Sequence, residues 1–428
     1  MADIHKLAQM LKELDDQLVN CMKCGMCQAV CPVFSKSGRE SDVARGKLAL
    51  LDGLASEMLS DPEGVNEKLN RCLLCGTCAA NCPSGVKVMD IFLKARAIMT
   101  GYFGLSPVKK AIFKGMLQNP KLFNALTGMG AKFQGIFTKK VDDMLGSSCA
   151  RFNAPVIGDR HFASLAPKPL HKIVPELDTP AGKSGIKVAL YVGCVVDKIF
   201  PHVGESILKV LEHHGVGVYM PSGQACCGIP ALSSGDTETF DKLVAINAKL
   251  FKEGEFDYLV TGCATCTSTI KELWPRMFHG DSALKYDIGV FERKTMDISQ
   301  FLVDVLKVEP KKLTGGRKVT YHDPCHLKNS LGITAQPRAV IQAAGLELTE
   351  MKDAGTCCGC GGSFNIAHYE LSKKIGSQKA DNCMASGAEV AATSCPACML
   401  QLTDMLSQKG AKMEVKHVIE LYADQLNS

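Results

Sequence analysis

A chain of 428 residues, 46% hydrophobic and 22% charged, has the make-up of a soluble globular protein of two to four domains. Its net charge of +5 is too mild to point to nucleic acid, and no apolar run approaches the roughly 18 residues a membrane span needs. Twenty-one cysteines without an apolar, cleavable N-terminus exclude a secreted disulfide scaffold and suit a reducing cytoplasm. Residues 4–20 predict an amphipathic helix, with Leu7, Met10, Leu11, Leu14 and Leu18 at three- and four-residue steps. Two cysteine runs follow, Cys21-x-x-Cys24-x-x-Cys27-x-x-x-Cys31-Pro32 and Cys72-x-x-Cys75-x-x-Cys78-x-x-x-Cys82-Pro83, each cysteine recurring after 51 residues. Helical patterns over 41–59 and 86–99 make the first 100 residues an all-α domain.

This spacing is that of two-cluster ferredoxins, in which three thiolates of each run hold one cubane [4Fe–4S] and the cysteine before proline reaches the other. It assigns Cys21, Cys24, Cys27 and Cys82 to one cluster and Cys72, Cys75, Cys78 and Cys31 to the second. Zinc sites pair two CxxC units rather than repeat a triplet ending in Cys-Pro. Gly25 and Gly76, at matching positions, are expected to let the backbone pass close to sulfur. Lys23, Arg45, Lys47 and Arg71 either offset cluster charge or lie on the surface.

Residues 101–140 hold seven lysines (Lys109, Lys110, Lys114, Lys121, Lys132, Lys139, Lys140) and no acid, interleaved with apolar residues from Phe103 to Phe137. Two readings stand: a basic amphipathic segment on an anionic membrane surface, or a pair of connecting helices with solvated lysines. Residues 150–186 carry five prolines and read as an extended linker, which closes a 101–186 connector. Cys149 reads as a buried or idle thiol.

A second repeat begins at Lys187. Apolar strands at 188–192, 216–220 and 258–260 alternate with helices near 198–214 and 237–252, and Cys194, Cys226-Cys227-Gly228 and Cys263-x-x-Cys266 follow the strands. From 313 the pattern recurs, with strands at 318–321 and 389–393, a helix near 337–344, Cys325, Cys357-Cys358-Gly359 and Cys395-x-x-Cys398. The offset is 131 residues at the single cysteine and the pair, and 132 at the CxxC. Each copy, 187–312 and 313–428, therefore predicts an open α/β sheet with five thiols in the loops past strand ends, where such sheets place ligands. Adjacent cysteines diverge, so each pair suits two different metal atoms rather than one.

The Cys-x31-Cys-Cys-Gly-x34-Cys-x-x-Cys pattern, with x35 in the second copy, resembles the duplicated CCG domain of heterodisulfide reductase subunits. A helical two-cluster ferredoxin followed by two such domains is similar to the iron–sulfur subunit of glycolate oxidase and membrane-associated D-lactate dehydrogenases. The matching subunit of anaerobic glycerol-3-phosphate dehydrogenase is a close relative. The resemblance covers nearly the whole chain apart from 101–186. It implies an α+β multidomain protein, and noncubane [4Fe–4S] clusters on one or both CCG sets, zinc or free redox thiols being the alternatives. It implies an electron-transfer subunit of a lactate or glycolate dehydrogenase, with FAD on a partner subunit and a quinone as acceptor. The chain would be cytoplasmic or peripheral at the inner face of the cell membrane. The rival function is a thiol–disulfide reductase.

The second copy carries an additional cysteine, Cys360, in Cys357-Cys358-Gly359-Cys360-Gly361-Gly362. This glycine run is no phosphate loop, since no Gly-Lys-Ser/Thr follows, and is expected to bring backbone N–H groups to sulfur. His322 and His326 flank Cys325, either serving a cluster or standing as solvated or capping histidines. Cys383 reads as a helical core residue. The sequence has no Rossmann GxGxxG, in keeping with a flavin held on another chain.

Overall fold

The structure is a computed structural model that describes residues 4–14, 18–152, 158–311 and 316–426. Near the N-terminus, apolar stripes at helical spacing close a small all-α core. Helix Ile4–Lys12 buries Leu7 and Leu11 against helix Ala44–Ala55 (Leu48, Leu51, Leu54) and helix Val88–Phe103 (Ile91, Phe92, Met99). The predicted 4–20 helix is thus seen as Ile4–Lys12, its continuation through 15–17 lying outside the described residues. Each cysteine run opens as an irregular loop and turns into a short helix, Met26–Val30 or Thr77–Ala80. Gly25 (φ 86°) and Gly76 (φ 71°) cap these helices in the left-handed region, where a Cβ is strained. Their neighbours are the Arg45 guanidinium and Asn329, not sulfur, so backbone conformation rather than an approach to sulfur is what selects glycine there.

The connector is helical over Pro107–Leu117 and Pro120–Phe137, with a π turn in the first segment. It leads into an antiparallel sheet of β1 (Thr138–Asp142), β2 (Ser147–Ala150) and β3 (Phe162–Ala163). The proline-rich stretch is therefore not a free linker. Its β3 pairs with β2, and β4 (Leu177–Asp178) adds an antiparallel edge to the sheet that follows. Pro167, Pro169, Pro175 and Pro180 flank these two-residue pairings, so no ladder N–H is lost.

That sheet contains β5 (Lys187–Tyr191), β6 (Gly217–Met220), β7 (Tyr258–Thr261) and β8 (Thr295–Asp297) in the order β4-β6-β5-β7-β8. The second copy repeats it with β9 (Lys318–His322), β10 (Glu347–Leu348), β11 (Val390–Thr393) and β12 (Glu414–His417), all parallel, in the order β10-β9-β11-β12. The central strands are near-continuous apolar runs because helices cover both faces. The predicted strands fall on β5, β6, β7, β9 and β11. The edge strands β8, β10 and β12 are short and carry polar residues, so alternation does not betray them. Val188, Leu190, Val319, Tyr321 and Val418 belong to one core, so the two copies pack as a unit.

The helical domain docks on the first copy through Arg96 and Thr100. Arg96 is 4% exposed and donates to the carbonyls of Ser233 (2.8 Å), Leu69 (2.9 Å) and Cys72 (2.9 Å), while Thr100 donates to Ser234 O (2.9 Å). Gly235 completes the seat: at φ 80°, a Cβ there would lie 2.2 Å from Arg96 O. Gly235→Ala is expected to lower stability by about 3 kcal/mol through overpacking and left-handed strain, read as a lower urea midpoint at unchanged slope.

Candidate iron–sulfur and cysteine-rich sites

The loops carrying the thiols line three hollows. In the helical domain two hollows form, one lined by Cys21, Cys24, Cys27 and Cys82, the other by Cys31, Cys72, Cys75 and Cys78. Each thus takes three cysteines from one run and the pre-proline cysteine of the other, and Cys78 also borders the first hollow. Cys24 is exposed and its neighbours Met22 and Met26 are bare, so the first hollow lies at the surface. The second is enclosed, and burial pushes Cys31 up to about 12. A thiol so placed gives up its proton when a metal takes its place. Four convergent thiols with no disulfide among the described cysteines fit a cubane, and the one carboxylate in the second hollow, Asp42, is paired with Arg71.

Backbone N–H groups of Phe34 and Leu74 point at Cys31 Sγ (3.5 Å) and Cys72 Sγ (3.4 Å). Burial raises Cys72, while Arg96 and Lys47 pull it down. Of the four basic residues singled out from sequence, Lys47 is 2% exposed, donating to Ser41 O at 3.0 Å, and Arg71 pairs with buried Asp42 at 2.8 Å. Arg45 spans Glu40 (2.7 Å) and Lys23 O (3.1 Å), and Lys23 itself is surface. Sequence reasoning misses Arg96, although a lone arginine on the Phe92–Met99 apolar stripe is a signal.

In the two copies, Cys194, Cys226, Cys227, Cys263 and Cys266 and Cys325, Cys357, Cys358, Cys395 and Cys398 line one shared cavity of about 500 Å3. Its walls follow the carboxyl ends of β5, β7, β9 and β11. The adjacent cysteines touch each other, and each also reaches a different partner. Cys226 faces Cys194, with Sγ atoms 3.9 Å apart, whereas Cys227 faces Cys266. Likewise Cys325 faces Cys357, and Cys358 faces Cys398. Each thiol is held by its neighbour, which drives one partner up (Cys226, Cys266, Cys398) and the other down (Cys227, Cys358). Gly359 N–H points at Cys357 Sγ at 3.5 Å. Cys360 lines the same cavity, and burial raises it. Cys383 is fully buried in helix Tyr369–Ala385 against Met351 (3.7 Å), and Cys149 sits on β2.

The sets also meet one another. Cys75 lies against Cys357, and Asn329 of the second copy donates to Cys75 O (2.9 Å) and Thr77 Oγ1 (3.0 Å). Cys263 of the first copy lies against Cys395 of the second, with Thr265 Oγ1 3.5 Å from Cys395 Sγ and 3.1 Å from His326 Nδ1. His322 is fully buried, which excludes the solvated histidine expected there. Asp323 holds its loop through a two-pronged pair with Arg338 (2.7 and 3.0 Å).

Fold and sites together define a class: a dicluster ferredoxin joined to a duplicated cysteine-rich domain. Residues 17–86 match the 4Fe-4S dicluster domain, and residues 188–271 and 319–403 the cysteine-rich CCG domain. The chain is 29% identical over 416 residues to a subunit of the fumarate reductase (CoM/CoB) of Methanothermobacter marburgensis, covering 95% of this chain and 72% of that one. It is 29% identical over 418 residues to a probable glycolate oxidase iron-sulfur subunit of Bacillus subtilis, covering 94% and 92%. Lactate utilization protein A of Exiguobacterium is 32% identical over 235 residues, 55% of this chain and 96% of that one. A hypothetical protein from Helicobacter pylori shares the fold at 10% identity, with TM-score 0.56 over 100% of this chain and 77% of that one. The chain belongs to the family of iron–sulfur subunits that includes the glycolate oxidase subunit and lactate utilization protein A. It is an iron–sulfur electron-transfer subunit of that type.

Cys82→Ser is expected to disturb the centre of the first hollow and spare the second, and Cys31→Ser to do the reverse. EPR of the anaerobically reduced variants distinguishes the two signals; loss of the same signal in both variants contradicts the crossed pairing.

Proposed function

We propose that this chain conducts electrons from an FAD-bearing partner that oxidises a 2-hydroxyacid, lactate or glycolate, toward a quinone. The observation that carries this reading is the unbroken succession of thiol sets. The exposed first hollow adjoins the second through Cys78, the second adjoins the second CCG copy through Cys75 and Cys357, and the two copies adjoin through Cys395 and Cys263. Clusters held on these thiolates supply one-electron transfer. The ligands would be the two cysteine quartets for the cubanes and the two sets of five for noncubane clusters, zinc being the alternative for the latter.

The chain's own residues set the conditions for transfer. Bare Met22 and Met26 beside Cys24 leave the first hollow open to a partner surface. Burial of the remaining sets excludes water, and the Phe34, Leu74 and Gly359 N–H groups with Arg96 and Lys47 favour the more negative state. The names of relatives, an iron-sulfur subunit of a glycolate oxidase and a lactate utilization protein, support placing hydride chemistry on a partner. Cys24→Ser is expected to abolish transfer from substrate to quinone in the complex while substrate still bleaches the partner flavin. Loss of that bleaching in an assembled variant complex overturns this division of labour.

No helix among the described residues is long and apolar enough to cross a membrane. Helix Pro120–Phe137 nevertheless turns an apolar face outward, from Leu126 at 39% to Phe137 at 61% exposure, between Lys121, Lys132, Lys139 and Lys140. Its inner side is tied down by Lys198 to Asn124 (2.5 Å) and Gln134 to Leu165 O (2.8 Å). This charge and shape suit an anionic bilayer at the inner face of the cell membrane. Each lysine near such a surface contributes about 1 kcal/mol, so reversing these four to glutamate is expected to cut binding to phosphatidylserine vesicles by about a hundredfold or more. Wild-type protein that fails to co-sediment with such vesicles at low salt removes the membrane reading.

A further inference from the structure

The two CCG copies are not chemically equivalent, and the difference lies at the last residue of their first strands. Position 322, at the end of β9, corresponds to position 191, at the end of β5, by the 131-residue offset. In the first copy it is Tyr191, whose hydroxyl is used up donating to Ala225 O at 2.6 Å. In the second it is His322. Its Nδ1 lies 3.2 Å from Ala354 O, and a carbonyl only accepts, so the proton is on Nδ1 and Nε2 carries a lone pair. That Nε2 is buried and has no hydrogen-bond partner among the described residues. A His322 ring nitrogen and the sulfurs of Cys358 and Cys398 all lie within 4.8 Å of one another.

A buried nitrogen lone pair that receives no proton is an uncompensated acceptor, and neither Cys358 nor Cys398 donates to it. The nearby charged groups do not relieve it. Both oxygens of Asp323 are taken by Arg338, and Lys379 donates to Ala354 O (3.2 Å), the carbonyl that also fixes Nδ1. A metal ion bonded to nitrogen and both sulfurs satisfies all three donors, and a carbonyl fixing the other ring nitrogen is the usual way a ligand histidine is oriented.

We propose that His322 Nε2 is a ligand of the metal centre in the second CCG copy, giving that centre a mixed nitrogen–sulfur shell where the first copy offers sulfur alone. This rests on the reading that the CCG thiols hold metal. Replacement of thiolate by imidazole raises the potential of an iron–sulfur centre. The second copy, which adjoins the cubane at Cys75, would then be the more easily reduced of the pair.

The test uses full-length protein purified without air and labelled with 15N in histidine only. Iron and zinc per chain are measured in wild type and in Cys357→Ser and Cys398→Ser. If the second copy holds iron, pulsed EPR is expected to show a directly bonded histidine nitrogen on the signal that Cys357→Ser removes. That coupling should vanish in His322→Leu and persist in His326→Leu, and His322→Cys should shift the centre to a more negative potential. If it holds zinc, absorption at the zinc edge should show one nitrogen among sulfurs in wild type and none in His322→Leu. Metal in the second copy without histidine nitrogen overturns this proposal alone. No metal lost on substitution of Cys357 or Cys398 overturns both it and the cluster-holding reading. The wild-type spectrum decides whether histidine is bonded even if His322→Leu does not fold, and His326→Leu then identifies which one.

Discussion

Everything in this molecule depends on bringing eighteen thiols next to one another, many of them out of water. A buried thiolate is costly in low dielectric and a row of them repels itself, so each set needs a cation at its centre or a proton on most of its sulfurs. The protein contributes part of the compensation itself. Lys47 and Arg96 are buried beside the second cubane hollow, and Lys379 is 2% exposed beside the second CCG set, where the Cys358 and Cys357 charges act on it. Metal bound by these sets would complete what the basic residues begin.

The same requirement explains the architecture. Parallel strands end where their loops can converge, and a duplicated sheet makes two such ends face each other, so one cavity serves eleven cysteines. The helical domain shares a continuous apolar core with the first copy, and polar groups aimed at backbone carbonyls fix its seat. Arg96 ties the Cys72 loop and the Ser233 turn to one guanidinium, and Asn329 ties the Cys75 loop to the second copy. Small errors in those contacts would separate adjacent sets, and electron transfer falls steeply with separation. Rigidity at the junction is therefore part of function, not merely of stability.

The duplication has diverged where it touches the sulfurs. Tyr191 against His322, and the added Cys360, alter one copy's donors while leaving strand order and loop spacing intact. A sheet tolerates such changes at strand ends because the central, buried residues carry the packing. Two centres on one scaffold can thereby differ in chemistry without differing in fold.

Much of this was legible in the chain itself. Cysteine spacing set the two quartets, the 131-residue offset revealed the repeat, and apolar runs located the central strands, because ligand geometry and strand periodicity are local properties. The glycines before the short helices were visible, but their reason was misread, since φ is not written in a motif. The short edge strands and the sheet inside the proline-rich stretch escaped because a few polar residues pair only when a neighbour presents an edge. What only the tertiary structure decided is the adjacency of the sets: Cys75 with Cys357, Cys263 with Cys395, and the buried nitrogen of His322 with Cys358 and Cys398. Those contacts join residues far apart in the chain or lie across a strand end, and they are fixed by how helices and sheets pack, which no spacing along the chain records.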